Sequence, residues 1–277
     1  MVKQLSGLKL LIFLLSILIF FITCSNDITG LFVSSDLDER LKAKDIFNFL
    51  VNADLNPNFG SEYSFIVVTD THIEDGNTFG LEKLAAVISK ENTGFVVFLG
   101  DITQYGAEHD ISKFINITKT FAIPCYPVIG NHDVYFGNWP VWKEKIGSTS
   151  YRVSWSGTTL FMLDSANAFF GKKQLDWLEN ELKTVNKSDH VFVFTHAPLF
   201  VTGPADMQQI IDTKERARIA SILKDRCDIM FMGHLHKRLF NEAGNVKYQG
   251  VEDFKSTKTY CHVKVSSSGV TYKFNNL

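Results

Sequence analysis

Short apolar runs recur along the chain, at residues 65–69, 95–99, 126–129, 191–195 and 229–232. Runs of this length with no polar face suit strands covered on both sides. Between them, residues 79–90, 107–121, 172–184 and 207–224 place apolar positions at helical spacing. Residues 150–164 predict a hairpin turning at Ser156-Gly157. Residues 240–277 are strand-like and turn-rich, with a second hairpin around Ser267-Ser268-Gly269. The alternation predicts one α/β domain over residues 62–277, with antiparallel strands added to it.

The pattern changes upstream. Lys3 and Lys9 precede or flank residues 10–23, which are apolar except for Ser16 and Thr23. As a helix this run spans roughly 21 Å, short of the roughly 30 Å hydrocarbon core. A basic start followed by such a run predicts a signal peptide over residues 1–23. It ends at Phe21-Ile22-Thr23-Cys24, which resembles a bacterial lipobox, although Phe21 and Thr23 depart from the usual residues. The expectation is an exported, membrane-anchored lipoprotein of the cell envelope, acylated at Cys24. Plain secretion and a retained N-terminal anchor are the alternatives. Residues 24–61 read as a lipid-anchored tether followed by one helix. Ser35 caps that helix, Asp36 and Asp38 sit at its positive end, and Ile46, Phe49 and Leu50 form its apolar stripe.

Composition adds exclusions. With 277 residues, 45% hydrophobic and 21% charged, the chain is neither disordered nor a polytopic membrane protein. Removing residues 1–23 takes away two lysines and no acid, carrying the formal charge from −2 to −4. That leaves no basic surplus for long nucleic acid. Cys125, Cys227 and Cys261 show no close pairing, so they read as buried thiols rather than a disulfide framework or zinc finger.

Chemistry-bearing residues concentrate where the apolar runs stop. Asp70-Thr71-His72 follows the first run, Gly100-Asp101 the second and Gly130-Asn131-His132-Asp133 the third. Thr195-His196 and Gly233-His234-Leu235-His236 close the fourth and fifth. Five of the eight histidines lie in these segments, with His109, His190 and His262 left as structural or surface residues. Carboxyl ends of strands in an α/β sheet form the crevice that receives ligands. Imidazole and carboxylate suit first-row divalent ions, and a carboxylate can bridge two. The i, i+2 pairs Asp70/His72 and His234/His236 point one way if their segments are extended. The glycines permit tight turns and close backbone approach.

D-x-H, G-D, G-N-H-D, T-H and G-H-x-H in this order resemble the calcineurin-like metallophosphoesterase family over roughly residues 62–240. The resemblance implies a four-layer α/β/β/α sandwich of two mixed sheets flanked by helices, with a two-metal site at one edge. It implies that Asp70, His72 and His236 hold one metal, that Asn131, His196 and His234 hold the other, and that Asp101 bridges them. The implied ions are divalent Mn, Fe, Zn or Ni. His132 would face the phosphoryl group as acid or charge stabiliser. Two metals about 3.5–4 Å apart can lower the pKa of a bridging water and clamp phosphoryl oxygens, giving metal-dependent hydrolysis of a phosphodiester or phosphomonoester. Many relatives place a second Asp three residues after G-D to orient the histidine. Here Gln104 stands there and adds no negative charge, with Asp133 as the alternative partner.

The D-x-H and G-H-x-H combination looks closest to the branch containing cyclic-nucleotide phosphodiesterases, so a small phosphoester is the expected partner and oligomeric state is open. Tyr135, Phe136, Trp139 and Trp142 follow the third motif as a loop over the metals, able to stack on a base or sugar, to cover a lipid head group, or to pack the loop itself. Residues 197–208 form a second candidate lip. A nuclease of the same superfamily and a catalytically idle, partner-binding surface lipoprotein are the other readings.

Overall fold

The computed structural model describes residues 35–53, 55, 59–155, 157–201 and 208–277. The signal segment 1–23, Cys24, the tether to residue 34 and residues 202–207 of the second lip lie outside the described residues. Among the described residues no helix is long and apolar enough to cross a membrane.

Two mixed sheets carry the chain. The first contains β1 (Tyr63–Val68), β2 (Phe95–Leu99), β3 (Cys125–Val128), β10 (Thr259–Ser266) and β11 (Gly269–Asn276), in the order β11-β10-β1-β2-β3. The second contains β4 (Tyr151–Trp155), β5 (Thr158–Met162), β6 (His190–Phe194), β7 (Ile229–Met232), β8 (Leu239–Ala243) and β9 (Val246–Gly250), in the order β4-β5-β6-β7-β9-β8. β1, β2 and β3 run parallel, as do β5, β6, β7 and β9. β10 joins β1 antiparallel, while the hairpins supply β4, β8 and β11.

Each apolar run has two buried faces because the sheets stack. Phe65, Val67, Phe95 and Val97 point inward and meet Phe192, Phe194 and Phe231 of the second sheet. Phe65 stacks on Phe95 at 4.6 Å and meets Phe192 edge-on at 5.2 Å. Burying each such ring is worth about 1.5–3 kcal/mol, and the strand phenylalanines concentrate here. Ile66, Val68, Val96 and Phe98 point outward under α2 (Leu84–Glu91) and α3 (Glu108–Thr120). On the far side, Val191, Val193, Met230 and Met232 lie under α5 (Gly171–Thr184) and α6 (Thr213–Leu223). The result is a four-layer α/β/β/α sandwich. The three described cysteines are free and buried.

Three elements differ from expectation. The single N-terminal helix is two short pieces, α1 (Leu37–Arg40) and a π-turn at Asn48–Asn52. Asp36, not Ser35, caps α1, and Ser35 instead accepts a hydrogen bond from Arg40, whose buried guanidinium pairs with Asp164 at 2.8 Å. The helix breaks because the amides of Ile46 and Phe47 donate to the Ile146 carbonyl, which aims Phe47 into the core and leaves Phe49 and Leu50 exposed. The 207–224 helix begins only at Thr213, capped by Asp212. Residues 134–147 are not an open loop either: α4 (Trp139–Lys145) lies within them and buries Trp139 and Trp142 in the outer core of the first sheet.

Candidate metal centre

The sandwich brings the carboxyl ends of β1, β2, β3, β6 and β7 to one edge. The loops there are bonded to one another before any ligand is considered. The amide of Asp70 donates to the Gly100 carbonyl at 3.1 Å, and that of His72 to the Asp101 carbonyl at 3.0 Å. Gly130 permits a very close approach, since a Cβ on it would lie 2.1 Å from the Asp101 amide nitrogen. Asp70, His72, Asp101, His234 and His236 all have φ between 45° and 72°. The i, i+2 pairs therefore converge through left-handed backbone, not through the extended alternation expected. Such conformations are disfavoured for non-glycine residues and concentrate where function over-determines them.

The ligating atoms form two groups joined at Asp101. In the first, Asp70 Oδ1 lies 3.2 Å from His236 Nε2 and 3.7 Å from His72 Nε2. In the second, His196 Nε2 lies 3.0 Å from Asp101 Oδ2, 3.1 Å from Asn131 Oδ1 and 3.1 Å from His234 Nδ1. The His196 ring is set by Nδ1, which donates to the Leu99 carbonyl at 2.7 Å. Asn131 is set by its Nδ2, which donates to the Tyr135 hydroxyl at 2.9 Å. Among the described residues, three triads bring their ligand atoms within 4.8 Å of one another: Asp70/His72/His236, His72/Asp101/His132 and Asp101/His196/His234.

The donor set fits divalent cations. Asp70 Oδ1 and both ring nitrogens of His72 are buried without a hydrogen-bond partner among the described residues. Leaving such atoms unmet costs about 1–3 kcal/mol each, and a cation with N and O ligands would meet them. Electrostatics points the same way. Burial pushes the Asp101 carboxyl up, but the charges of His196 and His132 outweigh it and hold it below the usual range. Asp70 is likewise held well below its ordinary value, with the nearby His236 and His72 imidazoles overcoming its burial. Conversely, Asp101 overcomes the burial of His196 and raises it to about 9. Two buried carboxylates demand positive charge, and a metal cation could replace that proton.

His132 stands beside both groups. Its amide donates to Asp101 Oδ1 at 2.9 Å, and its Nε2 lies 4.0 Å from Asp101 Oδ2. Nδ1 is 2.8 Å from the Gln104 backbone carbonyl. A carbonyl only accepts, so Nδ1 carries the proton and Nε2 faces the centre. The Gln104 side chain contributes less than expected, since its Oε1 accepts from Lys255 Nζ at 3.1 Å. Asp133 faces backbone amides. It accepts from the amides of Gly130 and Thr103, both at 2.9 Å, and braces the loops. Burial and the Asp101 charge push Asp133 up to about 6.

The substrate-loop residues divide. Tyr135 packs against the His132 ring with centroids 4.4 Å apart, whereas Trp139, the first residue of α4, is buried in the outer core of the first sheet. Leu199 in the second lip is also packed inside. Sequence reasoning missed Lys255. The amides of Phe254 and Lys255 donate to the carbonyls of Thr69 and Asp70, and the ammonium sits between Gln104 and Glu74. A lone lysine in a turn-rich arm carries no motif that could have revealed it.

Comparison with known proteins gives the same edge. A family model described as calcineurin-like phosphoesterase matches residues 63–238. A Fibrobacter succinogenes protein named a probable cyclic nucleotide phosphodiesterase is 27% identical over 157 residues, 54% of this chain and 60% of that protein. The chain thus spans less than two thirds of that relative. A 3′,5′-cyclic-nucleotide phosphodiesterase of Nostoc is 22% identical over 208 residues, 68% of this chain and 76% of the relative. A solved dimetal phosphatase from Danio rerio shares the fold with a TM-score of 0.63 at 14% identity, covering 77% of this chain and 96% of that one. Because the family model runs through all five strand-end loops, from β1 past β7, the chain belongs to the calcineurin-like phosphoesterase family.

Proposed function

We propose that the protein hydrolyses a phosphoester at two divalent cations, with small phosphodiesters such as cyclic nucleotides the first candidates. The carrying observation is that Asp101 is shared between triads while Asp70 Oδ1 and both nitrogens of His72 are buried without a hydrogen-bond partner among the described residues. The names of the Fibrobacter and Nostoc relatives support a diester. Asp70, His72 and His236 would hold one cation, Asn131, His196 and His234 the other, and Asp101 both. Bound there, Mn, Fe, Zn or Ni would supply Lewis acidity towards phosphoryl oxygens and lower the pKa of water. Water oxygen bonds to phosphorus and releases a proton to solvent, the P–O ester bond breaks, and the leaving oxygen takes the second ring proton, on Nε2, of His132 in its imidazolium form. The Gln104 carbonyl holds that ring in place throughout. None of these steps requires a covalent intermediate on the protein.

The test is turnover of bis-p-nitrophenyl phosphate with Mn²⁺. Asp101→Asn and His132→Ala are each expected to lose about 10²-fold or more in kcat. Wild-type turnover in either variant would overturn the reading. Export and membrane anchoring through Cys24 complete the proposal, supported by the basic start and apolar run of residues 1–23. Palmitate labelling that persists in Cys24→Ser would refute the anchor.

A further inference from the structure

The loops around the centre also carry an aromatic surface that the metal chemistry does not use. Tyr135 packs beneath the His132 ring and is buried, but the next residue turns outward. Phe136 is 75% exposed and has φ +53°. A large apolar ring held in water on left-handed backbone is disfavoured twice over, and such an outlier beside a polar centre points to function. Phe136 has a neighbour from another loop. Tyr105 is 44% exposed, and its ring centroid lies 6.1 Å from that of Phe136. Asn138 Nδ2 donates to the Tyr105 carbonyl at 2.7 Å, tying the two loops together. Tyr105 follows Gln104, whose carbonyl fixes His132, and Phe136 follows Tyr135, which packs on His132. Both exposed rings are therefore one residue removed from groups that touch the candidate acid.

We propose that Tyr105 and Phe136 form a stacking wall for the nucleobase of a nucleotide whose phosphoester sits at the metal centre. The inference rests on the phosphoester reading above and names its substrate class. Phe136 lies two ring spacings from His132, at 4.4 Å and then 5.7 Å, and a nucleobase stands one sugar away from its phosphate. Stacking on an aromatic face accepts any base, because every base has a π-face. The wall therefore selects a planar base rather than one particular base. An acyl chain or aliphatic head group could also touch these rings but would gain no stacking, and the experiment separates the two.

The full-length protein is assayed with Mn²⁺ on 3′,5′-cyclic AMP and on glycerophosphoethanolamine, an aliphatic diester. Phe136→Ala is expected to lower the ratio of kcat/KM for the nucleotide over the aliphatic diester about 10-fold, chiefly through KM, as loss of one base stack implies. Tyr105→Ala should move the ratio the same way by less, and Phe136→Trp should restore it. Adenosine should inhibit glycerophosphoethanolamine hydrolysis competitively in the wild type and more weakly in Phe136→Ala. An unchanged ratio, or adenosine inhibition that ignores Phe136, overturns the wall. If the wild type cleaves the aliphatic diester and not the nucleotide, the wall is wrong while the phosphoester reading stands. If it cleaves neither, nor bis-p-nitrophenyl phosphate, both fail.

Discussion

The pair of strands β6 and β7 has one histidine, His190, at its amino ends and His196 and His234 just past its carboxyl ends, and the two ends are built differently. At the amino ends, His190 Nδ1 lies 3.2 Å from Asp228 Oδ1, and Asp228 Oδ2 accepts the Val191 amide at 2.8 Å. One acid serves one imidazole, partly in water, and each carboxylate oxygen has a partner. At the carboxyl ends, His196 and His234 meet Asp101 and Asn131, which arrive from the other sheet. There His196 is fully buried, and nearby Asp70 Oδ1 and the His72 nitrogens are left over. Residue type does not distinguish a clamp between strands from a cation centre. Convergence of a second sheet, burial and surplus donor atoms do.

The sharpest way to break the comparison is Gly130→Ala. Its Cβ would meet the Asp101 amide nitrogen at 2.1 Å and Oδ1 at 2.2 Å, so the loop after β2 must shift. Turnover should fall below detection, with a loss of about 1–3 kcal/mol in urea unfolding. Chelation comes next. EDTA should lower the melting temperature by several degrees, because ligands that bind only the folded state stabilise it. Asp70→Asn should reduce that drop, and His190→Gln should leave it unchanged. An equal drop in Asp70→Asn would mean that the surplus atoms of the first group are not where the cation binds. Gln104→Ala is gentler. The group that fixes His132 is a backbone carbonyl, so kcat should fall less than about 10-fold, well short of the loss from removing His132 itself.

Legibility followed what a sequence can encode. The strand-end motifs and buried runs could be read because an unbroken apolar stretch ending in Asp, Asn or His marks a buried strand that surfaces at a polar edge. The 95–99 and 229–232 runs coincide with β2 and β7. The left-handed backbone at Asp70, His72, Asp101, His234 and His236 could not be read, because Asp and His, though enriched at positive φ, adopt it at only a small minority of their positions. Trp139 and Trp142 looked equally suited to a substrate wall and to a core, and only the packing of α4 placed them inside. Lys255 reaches Gln104 across 151 positions through the pairing of β10 with β1, a long-range contact with no periodic signature. The N-terminal helix failed for a related reason. The Ile146 carbonyl and the buried Arg40–Asp164 pair, both distant in sequence, fix where residues 35–53 bend.

The smallest expected effect tests the amino-end clamp alone. The hydrogen bond to Asp228 outweighs partial burial and holds the His190 imidazole above its ordinary value. A group whose pKa is raised in the folded protein stabilises it fully below the unfolded value of about 6.5. That contribution is lost as pH rises through the folded value. His190→Gln should therefore cost about 0.3–1 kcal/mol in urea unfolding at acidic pH, given that the pair is partly exposed. The cost should fade on the alkaline side, while kcat/KM stays at the wild-type value across the range. A change in turnover would show that β6 transmits the state of one end to the other, and the two ends could no longer be treated as separate devices.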